Sequence, residues 1–268
     1  MTTANCSTTV GYIQQHKAPF WKNIEQPEYC IMANQLGGSP LNFSKEQICD
    51  MCDNQMALIC QYSKNINNRV RTVYCFACKK DCCTISVIRI NRHHHQATLA
   101  KEYQGLEAVC CVKKESRNPK NNMKMFKRYE LLVDEEDEEM EYSMDSIGIL
   151  MYQQDYPSTV VRWIKEKEKV FMTDICDVQF KKCKCGNDRK LECQILPNSL
   201  YYLKQKEELH SIDFGTILIG CCVGNCGEND EIHLDQGIRM QFKDPPKNDE
   251  GIYDYTWMLK NRKEELED

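Results

Sequence analysis

Short runs of apolar, β-branched and aromatic residues recur along the chain and predict strands. Seven runs stand out, at 56–62, 70–76, 84–90, 129–133, 190–195, 216–220 and 238–242. Patterns typical of helices are fewer. A Pro-Ser-Thr start and a stretch rich in Lys and Glu predict a helix over 157–170, and the tail over 255–266 is similar. The pattern therefore predicts a mainly β fold with a few helices.

The chain also contains an internal repeat, because residues 52–61 align with residues 185–194 without a gap. Cys, Asn, Leu, Cys and Gln recur at identical positions of the two segments. Each segment is preceded by another close cysteine, Cys49 or Cys183, and is followed by an apolar run that ends in further cysteines. The order of cysteine turn, strand, strand and cysteine turn thus occurs twice.

This repeat predicts two pseudo-repeated β lobes that contain zinc. The boundaries that we expect are an N-terminal lobe at 1–133, an acidic linker at 134–146 and a C-terminal lobe at 147–268. The linker is marked by a change of charge. Basic residues are frequent over 113–128, and seven acidic residues follow within 134–141. Such an acidic block is usually a solvated linker, and the alternative is a tract that binds a client protein.

Whether the 18 cysteines form disulfides or bind metal depends on the cellular compartment of the protein. Residues 1–11 lack the basic and apolar pattern of a signal peptide, and the longest apolar run, 214–224, is too short to cross a bilayer. We therefore expect a soluble protein of the cytoplasm, with shuttling to the nucleus left open. Disulfides are rare in such a reducing compartment, so metal binding becomes the leading use of the cysteines.

Structural zinc takes four thiolates in a tetrahedron, and two short-spaced cysteine pairs can supply them. We predict a first site from Cys49, Cys52, Cys78 and Cys83, and a second site from Cys183, Cys185, Cys222 and Cys226. Three choices stay open, because Cys82 could replace Cys83, Cys75 could pair with Cys78, and Cys221 could replace Cys222. The adjacent Cys110 and Cys111 are interpreted as packing. The alternative for all of these cysteines is that they are buried free thiols.

The charge of the chain bears on its partners. The formal net charge is -5, so the molecule lacks the basic footprint that drives binding to nucleic acids. A basic client protein is electrostatically more natural. The leading alternative is a zinc-ribbon protein that binds RNA or DNA through the basic stretch at 113–128.

We expect no enzyme activity. A zinc deaminase needs His-x-Glu beside Pro-Cys-x-x-Cys, whereas His233 is followed by Leu234 and Asp235, and Cys49 follows Ile48. A ubiquitin ligase interleaves eight ligands in one short domain, whereas the two cysteine sets lie 100 residues apart here. Sites made only of thiolates leave no position for a reacting water, which suits a structural role.

The second half of the chain resembles the C-terminal domain of the programmed cell death protein 2 family. The resemblance rests on four motifs: Cys183-x-Cys185-Gly186-x-x-Arg189, Gln194-x-x-Pro197, Asp213-Phe214-Gly215-Thr216 and Cys222-x-x-x-Cys226. Residues 157–163 are similar to the arginine-bearing helix that opens this domain in the family.

The first half resembles the N-terminal half of the same family, so that the resemblance covers most of 11–242. It rests on Gly37-Gly38-x-Pro40, Cys49-x-x-Cys52, Gln61, Phe76-x-Cys78, Val87-Ile-Arg89 and the strand with an acidic tail at 129–136. Two departures exist. The tryptophan that usually follows the Gly-Gly-x-Pro motif is absent, and the inserted third zinc finger of some members is also absent, which places the chain with the shorter members.

The resemblance implies a dedicated chaperone of small-subunit ribosome assembly with two structural zinc ions. Its client would be the newly made universal small-subunit protein five, which is called number two in eukaryotic naming. We expect a monomer without the client, no membrane and no direct nucleic-acid contact. Acidic residues would shield the basic client, and addition of a client strand to an exposed sheet edge is one mode of capture.

Overall fold

A computed structural model describes the chain over 9–13, 34–41, 43–66, 69–79, 84–93, 126–135, 146–163, 179–203, 212–224, 226 and 232–240. The predicted helix at 255–266 and the Cys110 and Cys111 pair lie outside these residues. So do most of the basic stretch at 113–128 and most of the acidic residues at 134–141.

The described residues are mainly β, as the sequence predicts. The strands are β1 (Thr9–Ile13), β2 (Gln35–Leu36), β3 (Ala57–Ile66), β4 (Arg69–Ala77), β5 (Ile85–His93), β6 (Tyr129–Glu135), β7 (Thr159–Trp163), β8 (Arg189–Ile195), β9 (Thr216–Cys222) and β10 (Ile232–Met240). Two helices accompany them, α1 (Ser146–Asp155) and α2 (Asn198–Leu203). Among the described residues, neither helix has the length and hydropathy that a membrane span requires.

The strands form one closed antiparallel barrel in the order β1-β6-β2-β3-β4-β5-β10-β9-β8-β7. Strands from the two sides of the acidic run pair directly at two seams, β1 with β7 and β5 with β10. Pairing at both seams satisfies backbone groups that two separate sheets would leave at their edges. The barrel therefore does not confirm separate lobes at 1–133 and 147–268.

The sequence repeat reappears as a repeated irregularity of the strands. The register between β3 and β4 shifts between Leu58 and Cys60, and the register between β8 and β9 shifts between Leu191 and Cys193. These four residues occupy the same positions of the two aligned segments. A bulge of this kind bends a strand and changes the direction of a side chain, so the repeat encodes a local bend in both halves.

Apolar side chains of both halves fill the barrel together. Leu36 and Ile59 from the first half and Cys193 and Ile219 from the second half belong to one fully buried cluster. A second apolar cluster consists of Cys49, Met56, Leu58, Tyr74, Phe76, Cys78, Ile88 and Ile90, with Phe43 and Cys52 packed against it. The first group of predicted zinc ligands therefore lies on an apolar layer of its own.

The predicted helix at 157–170 is wrong over the part that the structure describes, because Thr159–Trp163 is strand β7. Helix α1 ends before this point, where the Tyr156 N–H donates to the Tyr152 carbonyl at 2.8 Å. Pro157 follows at once and has no N–H with which to continue a helix. After Ser158, the residues Thr159, Val160 and Val161 are β-branched and favour a strand. The remainder of the prediction lies outside the described residues.

The other differences between prediction and structure concern strands whose hydrophobic pattern is weak. Strand β10 begins at Ile232, ahead of the predicted 238–242, because its start alternates apolar and polar residues as Ile-His-Leu-Asp. Strands β1 and β2 and both helices are short and were not predicted. The six other predicted strands coincide with β3, β4, β5, β6, β8 and β9 within a few residues.

Candidate metal centres

The second predicted set of cysteines forms a compact cluster. The sulfur atoms of Cys183, Cys185, Cys222 and Cys226 all lie within 4.8 Å of one another. Three sulfur–sulfur distances are 3.7 Å for Cys183 and Cys226, 3.5 Å for Cys185 and Cys222, and 3.6 Å for Cys222 and Cys226. A tetrahedral centre with metal–sulfur bonds of about 2.3 Å has sulfur–sulfur edges of about 3.8 Å. The cluster therefore fits one metal ion held by four thiolates.

A tight turn places the first two of these cysteines. The Cys183 N–H donates to the Asn187 carbonyl, and the Gly186 N–H donates to the Cys183 carbonyl, both at 2.9 Å. Gly186 has a φ of 87°, a value that residues with a Cβ rarely adopt. The other two cysteines come from the end of β9 and the segment after it, so the cluster joins the two ends of one β8–β9 hairpin.

Polar hydrogens near the cluster favour thiolates. The Asn187 side-chain amide donates to Cys185 Sγ, and the Gly224 N–H donates to Cys222 Sγ, both at 3.3 Å. The pKa of the Cys185 thiol is lowered to about 6, chiefly by a hydrogen bond from Cys226 and also by one from Asn187. The hydrogen bond with Cys185 in turn raises the pKa of Cys226. Four thiolates this close together repel one another, so a metal cation is needed before all four groups can ionise together.

The first centre shows three of its four predicted cysteines. The sulfur atoms of Cys49, Cys52 and Cys78 lie within 4.8 Å of one another, and those of Cys52 and Cys78 are 3.5 Å apart. The Cys49 N–H donates to the Asn54 carbonyl at 2.8 Å, and the Asp53 N–H donates to the Cys49 carbonyl at 2.9 Å. This turn resembles the turn of the second centre, with one more residue between its two cysteines. The group could hold a metal ion with one further ligand.

The structure separates some of the neighbouring cysteines that the sequence left open. Cys75 and Cys221 belong to the apolar cluster inside the barrel, whereas Cys78 and Cys222 belong to the two metal-binding groups. Burial raises the pKa of the thiols of both Cys75 and Cys221, which suits packing and not ligation. Cys83 and its alternative Cys82 lie outside the described residues.

Three side chains beside the second centre were not singled out as functional from the sequence. His233 Nε2 lies 3.4 Å from Cys183 Sγ and 3.5 Å from Asp235 Oδ1. Asp235 Oδ1 also accepts a hydrogen bond of 3.1 Å from the Cys222 N–H. Arg89 pairs with Asp235 from the opposite strand of the β5–β10 seam. The sequence interpretation considered His233 and Asp235 only as a failed deaminase motif, and no pattern in the sequence places Arg89 next to them.

Arg189 fixes the cysteine turn to the neighbouring strand. Its guanidinium donates to the Lys182 carbonyl at 2.9 Å and to the Leu234 carbonyl at 3.1 Å. This arginine is part of the Cys-x-Cys-Gly-x-x-Arg motif. The motif is therefore a complete local unit, with two ligands, a glycine for the turn and a clamp that holds the turn against β10.

Comparison with known protein families agrees with this geometry. Residues 151–242 match the model of the C-terminal domain of programmed cell death protein 2, and the match includes all four cysteines of the second centre. Neither a curated protein nor a solved structure matches the chain. The resemblance noted in the sequence is confirmed over residues 151–242, which form a domain of the C-terminal type found in programmed cell death protein 2.

Proposed function

We propose that this protein is a chaperone that holds the newly made universal small-subunit protein five and supports assembly of the small ribosomal subunit. The observation that carries the proposal is the complete four-cysteine cluster inside a domain of the programmed cell death protein 2 family. Two structural zinc ions would make the barrel a rigid holder. The described cysteines form no disulfide, which suits a reducing compartment such as the cytoplasm.

Zinc is the metal that the donor set favours, because thiolates in a tetrahedral arrangement are typical of structural zinc sites. Cys83 is the fourth ligand that we propose for the first centre. Its neighbour Thr84 lies at that centre, where the Cys49 thiol donates to the Thr84 hydroxyl at 3.4 Å. Four thiolates leave no open coordination position, which supports a structural role and no catalysis.

The charge of the chain supports a basic client. With a net charge of -5 and an acidic tract at 134–141, the protein would attract a basic ribosomal protein and compete with non-specific RNA contacts. The closed strand order leaves no terminal sheet edge in the part of the chain that the structure describes. We therefore place the client on the outer surface of the barrel, and strand addition is not the mode of capture that we favour.

Binding can be tested with purified proteins. We expect the chain to form a stable one-to-one complex with universal small-subunit protein five, measured by size-exclusion chromatography with light scattering. The matched control is another small-subunit ribosomal protein of similar size and net charge, which should not form the complex. Equal binding to both proteins, or to neither, would contradict the proposal. Tight binding of RNA with a steep salt dependence would favour the zinc-ribbon alternative instead.

The acidic tract offers a second test. Neutralising Asp137, Glu138, Glu139 and Glu141 should slow association with the client about tenfold at low salt, since steering depends on local charge. The control neutralises four acids of the C-terminal tail, Glu264, Glu265, Glu267 and Asp268, which changes the net charge equally. Equal association rates for the two variants in stopped-flow measurements would show that the tract is only a linker.

A further inference from the structure

Strand β5, which precedes the acidic run, lines the metal centre that lies in the second half of the chain. In the β5–β10 seam, His233 is the register partner of Arg89. Two positions further along β5, the Asn91 side-chain amide donates to the Cys226 carbonyl at 3.3 Å. Arg71 on β4 donates to the Asn91 side-chain oxygen at 3.3 Å and thereby orients it. The first half thus reaches the backbone of one cysteine of the second centre.

A second connection runs through a buried ion pair. Arg89 Nε and Asp235 Oδ2 are 2.7 Å apart, and both side chains are 0% exposed. The other oxygen of Asp235 accepts the Cys222 N–H, and it lies 3.5 Å from His233, whose Nε2 contacts Cys183 Sγ. Arg89 therefore holds the carboxylate that fixes Cys222 at the end of β9.

The ion pair with Asp235 accounts for the charge of Arg89 but does not satisfy its whole guanidinium. Burying an ion pair is costly unless its remaining polar atoms are satisfied, yet neither terminal nitrogen of Arg89 has a hydrogen-bond acceptor among the described residues. A divalent ion bound by four thiolates leaves a net charge of about −2. The Arg89–Asp235 pair is neutral as a whole, so it orients the Cys222 end of the centre and does not balance this charge.

We propose that β5 forms part of the second metal centre, with Arg89, Asn91 and Asp235 acting as positioning residues that hold the backbone of Cys222 and Cys226. Groups outside the ligand set commonly orient ligands and set metal affinity. The centre would then be complete only when the β5–β10 seam is closed. This inference rests on metal binding by Cys183, Cys185, Cys222 and Cys226, and it is independent of the client.

The test measures zinc affinity of the full chain by competition with a chromophoric chelator. Arg89→Met and Asn91→Ala should each weaken binding at the second centre by about 10- to 100-fold and leave the first centre unchanged. Cys185→Ser identifies which phase of zinc release belongs to the second centre. The matched control is Val87→Ala, which removes buried apolar volume from the same strand and should keep the affinity of the wild type.

If the Arg89–Asp235 pair only stabilised the fold, the variants would give a different result. Replacing both buried charges by neutral groups often restores stability, so a double variant Arg89→Met with Asp235→Asn should regain thermal stability relative to Arg89→Met in zinc-free protein. Our inference expects that its zinc affinity stays low. Affinity of Arg89→Met or of the double variant within twofold of the wild type would overturn the inference. Wild-type protein that binds no zinc would overturn the metal centre itself.

If Arg89→Met does not fold, amide hydrogen exchange provides a second test of the inference. It compares the wild type loaded with zinc with full-length Cys185→Ser, which lacks the second ion. We expect amides of β5 that face β10 to lose protection together with β10, although β5 carries no ligand of that centre. Unchanged protection of β5 upon loss of the ion would contradict the inference.

Discussion

Asp53 and Gly186 occupy equivalent positions in the two cysteine turns, and both have a positive φ, 55° and 87°. Each residue directly follows the second cysteine of its turn. In both turns the N–H of this residue donates to the carbonyl of the first cysteine. Both turns therefore place a residue with positive φ after the second cysteine, although two residues separate Cys49 from Cys52 and only one separates Cys183 from Cys185.

Replacing Gly186 tests this equivalence. Gly186→Ala should destabilise the protein by about 0.5–1 kcal/mol, because the left-handed conformation costs roughly 1–2 kcal/mol and the lower entropy of the unfolded chain offsets part of that cost. An added Cβ would meet no atom within 4 Å, so no steric clash contributes. Gly186→Asp should cost less, since aspartate tolerates this conformation, as Asp53 does. Urea unfolding in which Asp costs more than Ala would contradict the equivalence.

Metal content should distinguish neighbouring cysteines. Cys222→Ser should lower the zinc bound per chain by one ion, whereas Cys221→Ala should keep it, because Cys221 lies inside the barrel. In the first centre, Cys78→Ser should lose the ion and Cys75→Ala should retain it. Elemental analysis of protein purified under reducing conditions gives the result. Loss of zinc from Cys221→Ala or Cys75→Ala in folded protein would show that the ligand assignment is wrong.

Glu192 is a buried carboxylate whose ionisation should stabilise the barrel. It lies at the bulge of β8 and pairs with Lys64 and Arg71 from the first half. Glu192→Gln should cost about 1–3 kcal/mol at pH 7, less than for a fully buried pair because Lys64 is partly exposed. Urea titrations of the two proteins give this difference.

The pH dependence of that effect has a definite sign. Burial by itself raises the pKa of Glu192, but Lys64 and Arg71 outweigh it, so the pKa is lowered. The stabilisation is therefore present above the ordinary glutamate pKa of about 4.3 and is lost as the pH falls through the lowered value. The difference between wild type and Glu192→Gln should shrink below about pH 4. The control is Glu130→Gln, since burial raises the pKa of Glu130 and its neutralisation should not destabilise at pH 7.

A close contact between Gly220 and Phe180 makes a further prediction. A Cβ at Gly220 would overlap the ring of Phe180, which packs over β9. Gly220→Ala should therefore cost about 1–3 kcal/mol through overpacking. Combining it with Phe180→Leu should recover part of this loss, and Phe180→Leu alone is the control. Strictly additive losses in thermal or urea unfolding would show that the two residues do not interact.

The sequence by itself determined the local units of this protein. Six strand predictions succeed because their β-branched and aromatic runs carry the signal within a few residues. The second cysteine turn is equally local, since its ligand spacing, the residue with positive φ and the arginine clamp all lie between Cys183 and Arg189. The helix prediction at 157–170 is wrong over Thr159–Trp163, because the charged residues that follow outweighed the β-branched residues after Pro157.

Only the tertiary structure decided how these units combine. The pairing of β5 with β10 joins residues far apart in the chain, and no periodicity of either strand specifies its partner across a seam. For the same reason the sequence did not show that the described strands of both halves close one barrel. The meeting of Arg89 with Asp235 beside the second centre follows from that closure, because the two residues are neighbours only when both halves share one sheet.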